Sequence, residues 1–308
     1  MRTGSIFAAI LLIAAFPRFS LAEARVESNV IYGMYSGLAL LMDVHYPANS
    51  NGYGIVLIPG SGWHAPLSLD AVPLKQSPSV RSILGADALL EGGYTLFSIN
   101  HRAAGRFKYP AAVEDAQRAV RYIRHHAASY GIDPERIGAT GHSTGGYLVS
   151  MLGVLDGDGN PVDSSSINQE SSKVQAVIAL STSFDLIEFT RLVGSNASGT
   201  GFLGSPLRGP QLRNPQSEEF LLYMEASPTS YVSPDDPPFF LIHGDADSTV
   251  PFSQSELFQD KLTEIGVTVE LIRVAGGGHG LSNSAGQSAS DHFGRMAEWF
   301  DRHLQTEH

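Results

Sequence analysis

The stretch Arg136-Ile137-Gly138-Ala139-Thr140-Gly141-His142-Ser143-Thr144-Gly145-Gly146-Tyr147-Leu148-Val149 decides the fold. Its first five residues are short and largely apolar, as a buried strand is, and the residues from Thr144 onward can begin a helix. Between the two sits Ser143, with Gly141 and Gly145 on either side. A strand-to-helix turn this tight forces its central residue into a strained conformation, and the glycines leave room for helix and strand to approach each other. The hydroxyl then stands exposed above a helix N-terminus, where a nucleophile belongs. Gly-x-Ser-x-Gly is a short pattern that an ordinary glycine-rich turn can also match, so its surroundings decide its meaning.

Working outward, the chain alternates strand and helix patterns. Leu38 to Pro47 reads as an early strand before the Asn49-Ser50-Asn51-Gly52 turn, and Ile55-Val56-Leu57-Ile58-Pro59 as a strand covered on both faces. Further strands are predicted at 94–99, 136–141, 174–180, 238–243 and 267–274, and helices at 82–91, from 144, at 255–265 and at 291–304. After Pro110 the apolar positions Val113, Ala116, Ala119, Val120, Ile123 and Ala127 recur at helical spacing, predicting a long helix that ends near Tyr130-Gly131. This order implies right-handed crossovers and a mainly parallel sheet flanked by helices, with ligands bound above the strands' carboxyl ends. The fold class is α/β. Residues 185–237 break the rhythm, being rich in Gly, Ser and Pro without a clean strand, and are read as an irregular cap-like insertion.

Composition bounds the function. At 308 residues and 43% apolar, the chain can bury a large core, and one domain over 23–308 is expected. Met1 to Ala22 places Arg2 before an apolar run from Ile6 to Phe16 and ends in Ser20-Leu21-Ala22, the pattern of a cleaved export signal; the run is too short to span a bilayer. A secreted or periplasmic location is expected. The chain has no cysteine, which excludes thiol chemistry and disulfide staples. Its formal net charge of −11 argues against nucleic acid or an anionic membrane surface as partner. Neutral substrates fit better.

A serine hydroxyl is a poor nucleophile near neutral pH and needs a base, which in turn needs an orienting group. Two later loops offer both. The strand Pro238-Phe239-Phe240-Leu241-Ile242 runs into His243-Gly244-Asp245-Ala246-Asp247-Ser248-Thr249-Val250-Pro251, and the strand at 267–274 runs into Ala275-Gly276-Gly277-Gly278-His279-Gly280. Both lie past a strand's carboxyl end, on the same rim as Ser143. Asp245 and Asp247 are both available as the acid; His101, His142 and His243 also fall near that rim, where packing or loop hydrogen bonding is their ordinary use.

With the order Ser, Asp, His, and with Ile99-Asn100-His101-Arg102, Tyr130 to Ile137, Ala226-Ser227-Pro228, the 237–247 segment and Gly278-His279-Gly280, the chain resembles the α/β-hydrolase superfamily. In particular it resembles the exported acyl-esterase and lipase branch with an HGGGW-type loop, over most of residues 30–304. The resemblance implies Ser143 as nucleophile, His279 as general base and Asp247, the aspartate three residues before Val250-Pro251, as orienting acid. It aligns Pro59-Gly60-Ser61-Gly62-Trp63 with HGGGW, implying an oxyanion hole formed by Ser61, Gly62 and Thr144. Proline replaces the histidine of that motif, and serine its middle glycine. Trp63 and His142 are expected to touch substrate, and Phe202 and Tyr231 are further aromatic candidates for a pocket wall.

Other signals carry less. Asp156-Gly157-Asp158-Gly159-Asn160 opens like a calcium loop, but Pro161 stands at the turn-glycine position and Ile167 at the closing glutamate position. His125 and His126 are adjacent and cannot share a helix face. No metal and no cofactor are expected. Asn196-Ala197-Ser198 is a glycosylation acceptor sequence. The expected activity is hydrolysis of a carboxylic ester through an acyl-enzyme, on short acyl groups, with acetylated or feruloylated carbohydrate among the substrates; no stable membrane association is expected. The alternatives are a prolyl-oligopeptidase-like peptidase, for whose usual propeller domain there is no room, and a non-catalytic binding protein on the same fold.

Overall fold

The computed structural model describes residues 25–63, 72–194 and 201–305, so the expected export segment and the Asn196 acceptor lie outside the described residues. Eight strands form one sheet: β1 (Arg25–Tyr35), β2 (Leu38–Tyr46), β3 (Gly54–Ile58), β4 (Thr95–Ile99), β5 (Ile137–His142), β6 (Ala176–Leu180), β7 (Phe239–Gly244) and β8 (Val269–Val274). Their order across the sheet is β1-β2-β4-β3-β5-β6-β7-β8. From β4 to β8 every pairing is parallel, while β1 pairs antiparallel with β2 and β2 with β4.

Among the described residues, seven helices of six or more residues surround it: α1 (Ala86–Glu91), α2 (Ala111–His125), α3 (Thr144–Val154), α4 (Leu186–Val193), α5 (Glu218–Glu225), α6 (Ser253–Glu264) and α7 (Phe293–Leu304). Alternation along the strands divides the core into two layers. Val56, Ile58, Phe97 and Ala139 face the side where Val113, Ala116, Val120 and Leu148 pack. Ile55, Leu57, Leu96 and Ile178 face the other, against Leu89, Met296 and Phe300. On α7, Met296, Phe300 and Leu304 are buried together with Trp299, which stacks on Phe240 with ring centroids 5.3 Å apart. Burying side chains of this size contributes roughly 1.5–3 kcal/mol each.

Two elements differ from the sequence expectation. β1 was not anticipated, because an edge strand exposed along most of its length shows no apolar run, and only Tyr32 of it is buried. The described part of 185–237 carries α4 and α5 and not only irregular chain. Asp185 caps α4 by accepting from the N–H groups of Ile187 and Glu188, and Ser217 caps α5 through Phe220 N–H. Between these helices Phe202, Leu203 and Leu207 are buried, which holds the insertion against the sheet's carboxyl rim. Among the described residues no helix is long and apolar enough to cross a membrane.

Candidate active site

The central strand β5 delivers Ser143 to the rim and α3 carries the chain away. Ser143 takes φ 56° and ψ −122°, a conformation rare outside glycine. The turn can close only because Gly145 has no side chain: a Cβ there would lie 1.8 Å from the carbonyl oxygen of Ile58. Ser143 N–H donates to Leu180 C=O at 2.9 Å, and Thr182 Oγ1 donates to Ser143 C=O at 2.7 Å, so the strained residue is tied on both sides to the β6 end.

Two loops converge on that hydroxyl. His279 Nε2 lies 2.9 Å from Ser143 Oγ, and His279 Nδ1 lies 2.8 Å from Asp247 Oδ2. Since the carboxylate can only accept, Nδ1 carries the proton and Nε2 is left free to accept from the serine. The carboxylate of Asp247 is fully buried, while His279 keeps 26% of its side chain exposed. Burial alone would raise the Asp247 pKa. Hydrogen bonds from His243, His279 and Val250 N–H outweigh it and hold the carboxyl well below the usual carboxylate range.

His243 makes the loop hydrogen bond expected of it and also a contact with Asp247 that the sequence did not reveal. Its Nε2–H is shared between Val250 C=O at 3.0 Å and Asp247 Oδ2 at 3.3 Å, and its Nδ1 accepts from Ser255 Oγ at 2.7 Å. Asp247 is thus gripped between two imidazoles, with Thr249 and Val250 N–H groups on its other oxygen at 2.7 and 2.9 Å. Asp245 faces away: it accepts from Arg273 Nε at 2.8 Å and from Gly276 N–H at 2.6 Å, which anchors the loop carrying His279.

His142 takes a different position from the one expected. It is buried behind the nucleophile and is not part of the cavity wall; its Nε2–H donates to His279 C=O at 2.8 Å. Its ring also faces the Pro59–Trp63 loop, since a Cβ on Gly60 would come within 2.9 Å of His142 Nδ1. Burial pushes its pKa from the ordinary 6.5 down to about 4, against the pull of the His279 carbonyl. Between those two values the unfolded chain binds a proton that the folded protein refuses, so stability should rise with pH across that window and fall as the solution is acidified. Calorimetric melting temperatures of the wild type and His142→Gln over pH 4 to 6.5 check this: the variant, which keeps an N–H donor but cannot titrate, should show the shallower slope. Equal slopes would assign the acid sensitivity elsewhere.

The loop Pro59-Gly60-Ser61-Gly62-Trp63 lies against Ser143, with positive φ at Gly62 (59°) and Trp63 (69°). Thr144 N–H, at the first position of α3, has no partner within the helix and sits at its positive end. Ser61 N–H, expected as an oxyanion donor, is engaged in this structure by Thr144 Oγ1 at 2.9 Å. Trp63 stacks face to face on Phe202, with centroids 3.7 Å apart, and meets Tyr147 edge-on at 4.9 Å.

Beside Ser143 the described residues enclose a cavity of about 90 Å³, walled by Trp63, Leu186, Phe189, Phe202, Tyr223 and Val250. Tyr231 lies apart, in a second groove with Phe220 and Met224. The insertion was expected to supply Phe202 to the wall; Leu186, Phe189 and Tyr223 had no signal beyond their place in it. The arrangement can activate a hydroxyl, hold a small apolar group next to it and present N–H groups to a developing oxyanion. Among the described residues no cluster of three or more His, Asp or Glu could hold a metal ion.

The sequence profile of the family described as BD-FAE matches residues 42–262. A curated relative, the probable carboxylic ester hydrolase LipM of Mycobacterium tuberculosis, is 31% identical over 182 residues, covering 58% of this chain and 39% of its own. The chain therefore spans well under half the length of that relative. Among solved structures, a truncated carbohydrate esterase from gut microbiota superposes with a TM-score of 0.73 at 27% identity, covering 92% of this chain and 97% of that one. An acetyl ester-xyloside bifunctional hydrolase from Caldicellulosiruptor lactoaceticus gives 0.68 at 28% identity, with 86% and 87% covered.

Proposed function

Because the chain belongs to the BD-FAE family, we propose that it is a serine carboxylic ester hydrolase acting through an acyl-enzyme on short-chain acyl esters, including acetylated carbohydrate. The single observation that carries the reading is the hydrogen-bonded run from Ser143 Oγ through His279 to Asp247, with distances of 2.9 and 2.8 Å. In the proposed reaction His279 Nε2 takes the Ser143 proton as the oxygen attacks the ester carbonyl. The tetrahedral oxyanion forms beside Thr144 N–H and Gly62 N–H. Its collapse expels the alcohol, which takes the proton back from His279, and water repeats the sequence to release the acid. Asp247 holds the imidazole in the required tautomer and stabilises the imidazolium.

The cavity beside Ser143 supports the short acyl preference. At about 90 Å³, with a largely apolar lining, it has room for an acetyl or propionyl group. The names of the two solved relatives, a carbohydrate esterase and an acetyl ester-xyloside hydrolase, support sugar as the alcohol side. A p-nitrophenyl ester series from acetate to palmitate tests the reading. The value of kcat/KM should be highest for acetate or propionate and fall beyond butyrate. Equal turnover of palmitate would overturn the acyl assignment, and failure of a fluorophosphonate probe to label Ser143 would overturn the esterase reading itself.

A further inference from the structure

The hole that receives the oxyanion departs from the pattern its sequence suggested, and the departure involves two hydroxyls. Ser61 N–H is directed at Thr144 Oγ1 at 2.9 Å, and Ser61 Oγ lies 3.2 Å from the same oxygen. Thr144 and Ser143 both line the small cavity, together with Gly62. A hydroxyl oxygen has two lone pairs and one proton. The Ser61 N–H occupies one lone pair of Thr144. Either oxygen of the 3.2 Å pair with Ser61 Oγ can be the donor, and when the Ser61 hydroxyl donates it occupies the second. The Thr144 proton then has nowhere to point among these partners and turns to the cavity, where the carbonyl oxygen of an ester on Ser143 would lie.

We propose that the Thr144 hydroxyl is an oxyanion donor in its own right, taking over from the Ser61 N–H that it has engaged, and that Ser61 orients and polarises it. The inference rests on the serine hydrolase reading and adds a catalytic role to a side chain that contributes only its backbone in that reading. As Ser143 Oγ bonds to the carbonyl carbon, the π pair moves onto oxygen, and three donors meet it: Thr144 N–H, Gly62 N–H and Thr144 Oγ–H. Donors chained in this way polarise one another, so Ser61 strengthens the bond that Thr144 makes.

The test separates the hydroxyl from the shape of the side chain. Thr144→Val keeps the branched volume and removes the proton; Thr144→Ser keeps the proton and removes the methyl. With p-nitrophenyl acetate, Thr144→Val should lower kcat by about 10²- to 10³-fold, the loss expected for one oxyanion donor, while KM changes little. Thr144→Ser should stay within about tenfold of wild type, and Ser61→Ala should lose less than Thr144→Val. Phosphorylation of Ser143 by diethyl p-nitrophenyl phosphate, followed by intact mass, gives a second readout that needs no carboxylic ester. The same ranking of rates there supports the proposal even if no ester is turned over, an outcome that would instead defeat the esterase reading. A valine variant within about tenfold of wild type, or a serine variant as slow as valine, overturns the Thr144 assignment whatever the substrate.

Discussion

Ser143→Ala should remove roughly six orders of magnitude of kcat toward p-nitrophenyl acetate, the scale on which a serine nucleophile acts in a unit with its base. The fold should survive, because the hydroxyl is not what holds the turn: the strand and helix meet through Gly145, and Ser143 is fixed by its backbone bonds to Leu180 and Thr182. A companion variant sharpens the result. Serine and alanine bear the positive φ of 56° at similar cost, whereas glycine does not, so Ser143→Gly should be as inactive as Ser143→Ala and more stable by about 1 kcal/mol or more. Steady-state kinetics and urea melts of the three proteins give both numbers. Retained turnover in Ser143→Ala would place the chemistry on another residue.

Asp247→Asn should lower kcat by about four orders of magnitude near neutral pH, because an amide in that place can donate to Nδ1 and favours the tautomer with its proton on Nε2, where the base must be vacant. Asp245→Asn should cost less than tenfold, since Asp245 reaches the site only through Arg273 and the Gly276 N–H. The opposite ranking would move the acid to Asp245. The depressed pKa of Asp247 adds a pH consequence. A carboxyl held well below its usual range stays ionised until the solution is strongly acid, so the acid limb of kcat/KM should show no inflection from Asp247 at ordinary carboxylate values. Its contribution to stability is present above the unfolded value and lost only as pH drops through the lower, folded one.

What the residues disclosed in advance were mostly local matters. The run from Arg136 to Tyr147 could be read because strand, turn and helix all lie within a dozen residues, and each glycine in it has one task. The short, mainly apolar or small-residue strands β3, β4, β5 and β7 could be read because both of their faces are covered. β1 could not, since its residues are mostly in water and only the partner strand makes it a strand. The same distinction holds in the site. His279 and Asp247 sit in loops whose composition marks them, and the structure sets them in line with Ser143. The engagement of the Ser61 N–H by Thr144, 83 positions apart, arises only on folding, and the grip of His243 on Asp247, four positions on, depends on the path of the turn after β7, which residue types alone do not encode.

The stacked rings of Trp63 and Phe202 bear on how such a protein can be remodelled. One ring belongs to the turn packed against Ser143, the other to a segment that would ordinarily be regarded as interchangeable decoration. A chimaera that swaps residues 185–237 for the corresponding part of a relative, in search of a new substrate range, therefore exchanges half of a brace as well. Unless the graft brings a flat aromatic surface to the same spot, altered selectivity would come with a slower enzyme.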